Sequence, residues 1–249
     1  MAQKKHPSTA SPSVSVCFPA YNEEVTVGEV IQEAHDLLSR SGLVHEIVVC
    51  DDGSTDRTGP IVDDMCKRLP RLRVLHHAEN RGIHDTFEHL YLEASHEFVF
   101  LNSVDQQWKT SILFDMLPLT RNWDVIVASR IDKHYTWFRR FVSWAYNAIP
   151  VVLFGVRAFD AGAVKLMRRE IIHRFTLVSH SPFSEAERLI RAAYAGYRIT
   201  EYPVEVATRR TGRARGVNAH VLVQSLLDVP RVWWALKAGR QSVGRQANS

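Results

Sequence analysis

The chain has 249 residues, 45% hydrophobic and 23% charged, the composition of an ordinary globular protein and a normal length for one α/β domain. Its formal charge of +4 suits anionic partners, but basic and aromatic residues do not interleave as in single-strand binders, so nucleic acid is not expected among them. No run reaches the roughly 18 to 20 apolar residues of a membrane span, and three cysteines, an odd number, speak against a disulfide framework.

The first 12 residues are polar and lack the apolar core of a signal peptide, which predicts a disordered lead-in. Val14, Val16 and Phe18 alternate up to Pro19 and predict a first strand. From Glu23 to Arg40 the apolar residues recur at helical spacing, ending before Gly42. "HEIVVC" predicts a second strand, closed by "DDGSTD", and the following helix tolerates Pro60 only in its first turn. "LRVLHH" is a third strand. Asn80-Arg81-Gly82 is then a turn before a helix with Ile83, Phe87, Leu90 and Ala94 on one face. "EFVFL" and "WDVIVAS" are a fourth and a fifth strand. Strands alternating with helices predict a mostly parallel sheet covered on both faces, with ligands beyond the carboxyl ends of the strands.

After Arg130 the pattern loosens. "SEAERLIRAAYAG" is a helix, "YRITEYPVEV" a strand broken at Pro203, and "RRTGRARG" a basic turn. The stretch from His220 to Arg240 holds Trp233, Trp234, Arg231, Lys237 and Arg240 and one acid, Asp228. It suits a helix lying in a membrane interface, or equally one packed on the core or on a second copy of the chain. The expected organisation is a lead at 1–12, one domain at 13–216 and an amphipathic C-terminal extension at 217–249.

Polar residues close the first four predicted strands: "PAYNEE", "DDGSTD", "HHAENRG" and "NSVDQQ". Each alone is a common turn or helix start. Together, at successive strand ends, they predict a nucleotide site. His84 and His89 are five apart on different helical faces, so they do not form a metal pair of the i, i+4 kind. Both read as surface residues, and His76-His77 as strand-end polar residues. The cysteines Cys17, Cys50 and Cys66 read as small buried hydrophobes.

In this order the motifs resemble those of inverting family 2 glycosyltransferases with the GT-A fold, closest to the branch that passes a sugar to a polyprenyl phosphate. The resemblance runs from about Val14 to Gly216. It implies a GT-A-like α/β fold with a mostly parallel central sheet, helices on both faces and a C-terminal helical extension. Pro19, Ala20, Tyr21 and Glu23 would line a base and ribose pocket, and Asp52 would grip base or ribose. Arg81 and Gly82 match the turn beside the donor, and Arg130 fits a Gly-Ser-Arg position in which Ala128 replaces the glycine.

Family members usually carry Asp-x-Asp-x-Gln at the fourth strand end, where this chain has Ser103, Asp105 and Gln107. Asp105 would be the protein's metal ligand, holding Mg2+ or Mn2+ together with the donor diphosphate. Arg209, Gly212, Arg213 and Arg215 match a basic acceptor or phosphate loop, which is otherwise a solvated turn. Glu187 has the family spacing for a catalytic base, and Glu185 falls where an aspartate is often found. Acids in a first helical turn also suit the helix dipole without any function. Asp160 lies where the family has an acid, with one residue fewer before Lys165 than is usual.

The resemblance therefore implies a hexosyltransferase that uses a UDP- or GDP-sugar, acts on a polyprenyl phosphate and works at the cytoplasmic face of a membrane. Transfer to a hydroxyl of a soluble or glycan acceptor, and a non-catalytic nucleotide-binding module, are the alternatives. The state of oligomerisation stays open, a homo-oligomer included.

Overall fold

A computed structural model describes residues 12–131, 148–157, 159–205 and 219–246. One seven-stranded sheet forms the centre, in the order β3-β2-β1-β4-β6-β5-β7. The strands are β1 (Val14–Ala20), β2 (His45–Asp51), β3 (Leu72–His76), β4 (Phe98–Leu101), β5 (Val125–Arg130), β6 (Lys165–Arg168) and β7 (Ile199–Val204). Only β6 runs against the others, wedged between β4 and β5. The expected mostly parallel sheet is therefore present, and the carboxyl ends of six strands share one edge.

The helices are α1 (Val27–Ser41), α2 (Thr58–Arg68), α3 (Ile83–Glu93), α4 (Ile112–Met116), α5 (Arg169–Arg174), α6 (Phe183–Tyr194) and α7 (Ala219–Gln246). A further helical segment spans 148–154. Every residue of β1, β2 and β4 is buried, which is why these strands are nearly continuous apolar runs.

Several boundaries depart from the sequence pattern for local reasons. β1 continues through Pro19 to Ala20. A proline lacks the N–H that a central strand needs, but β4 pairs with β1 only as far as Cys17, so beside Pro19 that partner is gone. α1 begins at Val27, four residues later than Glu23, because the preceding segment is tied to the loop after β2. Pro60 sits in the first turn of α2, as required.

In α3 the buried residues are Thr86, Leu90 and Tyr91, while Ile83 is exposed. Leu90 and Ala94 are buried and Phe87 packs against the core as expected, so of the four only Ile83 departs. β6 has no counterpart in the expected elements; buried charges at both its ends disguise it. Cys17 and Cys50 are buried free thiols, whereas Cys66 is exposed, contrary to expectation.

Candidate nucleotide-sugar site

The loops after β1 and β2 are knitted together by their own polar side chains. Asn22, in the left-handed region at φ 53°, receives Thr55 N–H on Oδ1 at 2.8 Å, and its own N–H reaches Ser54 Oγ at 2.9 Å. Glu23 N–H donates to Thr58 Oγ1 at 2.8 Å, and Glu24 accepts Arg57 N–H at 3.0 Å. The "PAYNEE" and "DDGSTD" segments therefore form one structure. Tyr21 and Glu23 stand half-buried at its surface, beyond Pro19 and Ala20 at the end of β1.

Asp52 is 3% exposed and lies at the centre of the edge. Its Oδ1 accepts Arg81 N–H at 2.9 Å and His77 Nδ1 at 2.6 Å; its Oδ2 accepts Gly82 N–H at 3.0 Å. The carboxylate expected to grip base or ribose thus holds the Arg81-Gly82 turn in place, buried beneath it. Gly53 completes the fit. Its φ is +68°, and a Cβ there would come within 2.4 Å of the Glu79 carbonyl carbon and 2.7 Å of Asn80 N. Two loops can approach so closely only where one offers no side chain.

After β4 the chain turns at Ser103 and Asp105, both half-buried. Ser103 Oγ donates to Asp105 Oδ1 at 2.6 Å, and Gln107 N–H reaches the same oxygen at 3.2 Å. Gln106 takes a left-handed conformation at φ 60°, and its side-chain amide donates a hydrogen bond to Glu29 Oε2 at 2.8 Å. The serine in place of an acid is therefore a hydrogen-bond donor that fixes the orientation of Asp105. A carboxylate so fixed fits a hard cation that takes its other ligands from phosphate and water.

At the end of β5 the Arg130 guanidinium lies over Trp108, 5.2 Å from the ring centroid, with Nε 4.0 Å from Asp160 Oδ2. The aromatic face and the acid hold a cation beside the Asp105 loop.

The two carboxylates of α6 are both drawn into the interior. Glu185 is buried, accepting Lys165 Nζ at 2.5 Å and Tyr91 Oη at 3.0 Å. Burial alone would push its carboxyl up, but Lys165 and Arg188 outweigh it and hold the group below the usual range. Glu187 is wholly enclosed; it accepts the N–H groups of Val178 and Ser179, the Ser179 hydroxyl, and Arg191 Nε at 2.6 Å. A general base must reach the proton it removes. Glu185 and Glu187, expected as base candidates, are both held in interior ion pairs in this structure.

His84, expected at the surface, is bonded through Nδ1 to Ser184 Oγ at 2.8 Å, and His89 is half-buried against His77. Arg209, Gly212, Arg213 and Arg215 lie outside the described residues. No helix among the described residues is long and apolar enough to cross a membrane.

Comparison with known proteins agrees with this architecture. The undecaprenyl-phosphate mannosyltransferase of Micrococcus luteus is 24% identical over 237 residues, covering 90% of this chain and 95% of the relative. The undecaprenyl-phosphate 4-deoxy-4-formamido-L-arabinose transferase of Edwardsiella ictaluri is 27% identical over 205 residues; the match covers 81% of this chain and 62% of that longer protein. Among solved structures, glucosyl-3-phosphoglycerate synthase from Mycobacterium tuberculosis, in complex with Mn2+, UDP and phosphoglyceric acid, superposes with a TM-score of 0.68 at 17% identity, covering 88% of this chain and 78% of that one. The fold is GT-A-like. The sequence model of the family described as glycosyl transferase family 2 matches residues 15–176, well over half of the chain, which therefore belongs to that family.

Proposed function

We propose that this glycosyltransferase moves a hexose from a nucleoside-diphosphate sugar to a polyprenyl phosphate, with inversion at the anomeric carbon. The observation that carries the reading is the burial of both α6 carboxylates in ion pairs. A hydroxyl acceptor needs a base to take its proton. A phosphate acceptor is already ionised and needs only cationic positioning. The names of the two relatives, both undecaprenyl-phosphate transferases, support the same acceptor.

In this reading the donor's base and ribose lie against Pro19, Ala20, Tyr21 and Glu23, beside the Arg81-Gly82 turn that Asp52 holds. Asp105 would hold Mg2+ or Mn2+, oriented by Ser103 and Gln107; when bound, the cation offsets the charge that develops on the departing diphosphate. The M. tuberculosis structure, with its Mn2+ and UDP, supports such a cation. Arg130, steadied by Trp108 and Asp160, supplies positive charge at the same edge. Arg209, Gly212, Arg213 and Arg215 would receive the acceptor phosphate. Arg231 and Lys237 on α7 suit an anionic lipid surface, and the proposed place of action is the cytoplasmic face of a membrane.

The test supplies UDP- and GDP-hexoses with Mn2+ and compares a short-chain polyprenyl phosphate, the corresponding polyprenol and no lipid. Nucleoside diphosphate release should require the phosphate, and the product should carry the inverted anomeric configuration. Equal turnover with polyprenol would overturn the acceptor. Nucleotide binding with no release under any condition would identify a non-catalytic module, the alternative that Ser103 suggests.

A further inference from the structure

Behind Asp52, away from the Asp105 loop, three side chains from three elements converge. Cys50 is the penultimate residue of β2, His77 follows the last residue of β3, and His89 lies in the middle of α3. β2 and β3 are paired neighbours, and α3 packs across β2. Cys50 Sγ is 3.7 Å from His77 Nε2, which is 2.9 Å from His89 Nδ1, and the three ligand atoms lie within 4.8 Å of one another. Among the described residues no other three histidine, cysteine or acidic side chains converge in this way.

We propose that Cys50, His77 and His89 form a binding site for a soft divalent ion, Zn2+ foremost, distinct from the oxygen site at Asp105. Zinc takes sulfur at about 2.3 Å and imidazole nitrogen at about 2.0–2.1 Å, so a tetrahedron sets S···N near 3.6 Å and N···N near 3.3 Å. The observed 3.7 Å and 2.9 Å require shifts of a few tenths of an ångström. The Cys50–His89 edge closes by about 1 Å if it lies at the 4.8 Å limit. The imidazole planes are nearly parallel, at 8°, but the nitrogens lie far nearer than the centroids at 5.1 Å, so the rings meet edge to edge. The facing nitrogens therefore meet almost head-on in a hydrogen bond that the ion would replace, each ring tilting towards it and His89 carrying its proton on Nε2.

The protonation pattern also suits a metal. The Asp52 carboxylate only accepts, so His77 Nδ1 carries the proton of its 2.6 Å bond. His77 Nε2 is then the atom that faces Cys50 and His89. A carboxylate that orients a metal-ligating histidine through its other nitrogen is a recurrent arrangement. Thiolate and imidazole select zinc over magnesium and manganese, which prefer oxygen. As the metal–sulfur bond forms, the thiol proton leaves to solvent. Burial, with Asp52 and Asp51 nearby, pushes the Cys50 thiol up to about 12, and a cation reverses that penalty. His89 is half-buried and gives the ion a route in. Three protein ligands leave the fourth position to water.

The test is titration of the full chain with Co2+, followed by displacement with Zn2+. One equivalent should give the visible bands of tetrahedral cobalt together with a near-ultraviolet thiolate-to-metal band, and Zn2+ should erase both. The bands should survive in Cys66→Ser and in Asp105→Ala. They should vanish in Cys50→Ala and in His89→Ala, the latter a half-buried helix position whose removal leaves the sheet intact. Loss of an outer-shell partner costs about 10–100-fold in metal affinity, so loss of the His89 ligand should weaken Zn2+ by more than about 100-fold. Absence of a thiolate band in the unaltered chain would overturn the proposal. So would a band that persists in both ligand variants, or one that disappears in Asp105→Ala.

Discussion

Ser103 donates its hydroxyl to Asp105 Oδ1 at 2.6 Å, so the residue standing where the motif's first acid is usual orients the second. The exchange removes one negative charge from a cation site and adds one charge-assisted hydrogen bond. Asp105→Ala should abolish Mn2+-dependent binding of UDP or GDP. Ser103→Ala should weaken it by about 10–100-fold, as expected for an outer-shell partner. Ser103→Asp should strengthen it. Calorimetry with and without Mn2+ separates the three. Nucleotide binding indifferent to metal and to Asp105→Ala would leave the arginines as the only diphosphate stabilisers.

Gly53 joins fold and site. With φ at +68° and a Cβ placed 2.4 Å from the Glu79 carbonyl carbon, Gly53→Ala must distort its own turn and displace the Asn80–Gly82 turn. The left-handed backbone alone costs about 1–2 kcal/mol. Gly42, at the C-terminal end of α1, has φ +70° and nothing within 4 Å of its added Cβ. Gly42→Ala should therefore lower stability by the backbone cost and leave nucleotide affinity unchanged. Gly53→Ala should lower both. Denaturant unfolding paired with nucleotide calorimetry distinguishes them.

Lys165 and Glu185, 2% and 6% exposed at their side chains, form the pair that ties β6 to α6. Breaking a buried pair from one side costs about 3–5 kcal/mol, because the remaining charge is left uncompensated. Lys165→Met should show a loss of that size in urea unfolding, and Lys165→Met with Glu185→Leu should recover part of it. The pH dependence follows from the same contact. The Glu185 carboxyl is held below its ordinary 4.5 in the folded chain: burial raises it, and Lys165 and Arg188 more than offset the rise. Its contribution is therefore fully present above that ordinary value and is lost as pH falls through the lower folded value. Acid unfolding of the native chain should steepen below about pH 4, and Glu185→Gln should flatten that limb.

The sheet's parallel half was legible because β1, β2 and β4 are buried on both faces and so read as short, mostly apolar segments. β6 was not. Its two end residues are Lys165, neutralised by Glu185 from α6, and Arg168, bonded to Asp124 at 3.0 Å and Glu97 at 2.7 Å. Those partners lie 20 to 71 residues away in sequence, beyond any local pattern. The strand-end motifs announced a site by type and position. Which way each carboxylate faces depended on contacts of the same long range, as Asp52 and Glu187 show. His77 and His89 are 12 residues apart across a strand-to-helix crossover, a spacing that no helical metal motif contains.

α7 carries the prediction about membranes. Ser225, Asp228, Val229 and Val232 face inward, and Asp228 accepts His180 N–H at 3.2 Å and Arg231 Nη1 at 2.9 Å. Val223, Leu226, Leu227 and Trp234 are 52–67% exposed, and Lys237 lies over Trp233 at 3.7 Å. Fully burying such a side chain is worth about 1.5–3 kcal/mol, so even partial insertion of four of them would hold the chain at an interface. The full chain should sediment with anionic liposomes and less with neutral ones, more weakly at high salt. Leu226→Ser with Trp234→Glu should reduce sedimentation sharply, and removal of the residues after Gly216 should abolish it. If instead the same face covers a second copy of the chain, the double variant would turn a dimer into a monomer in sedimentation velocity and leave liposome binding as it was. That outcome would reassign α7 from a lipid surface to an oligomer interface, and the polyprenyl phosphate would then have to be reached without it.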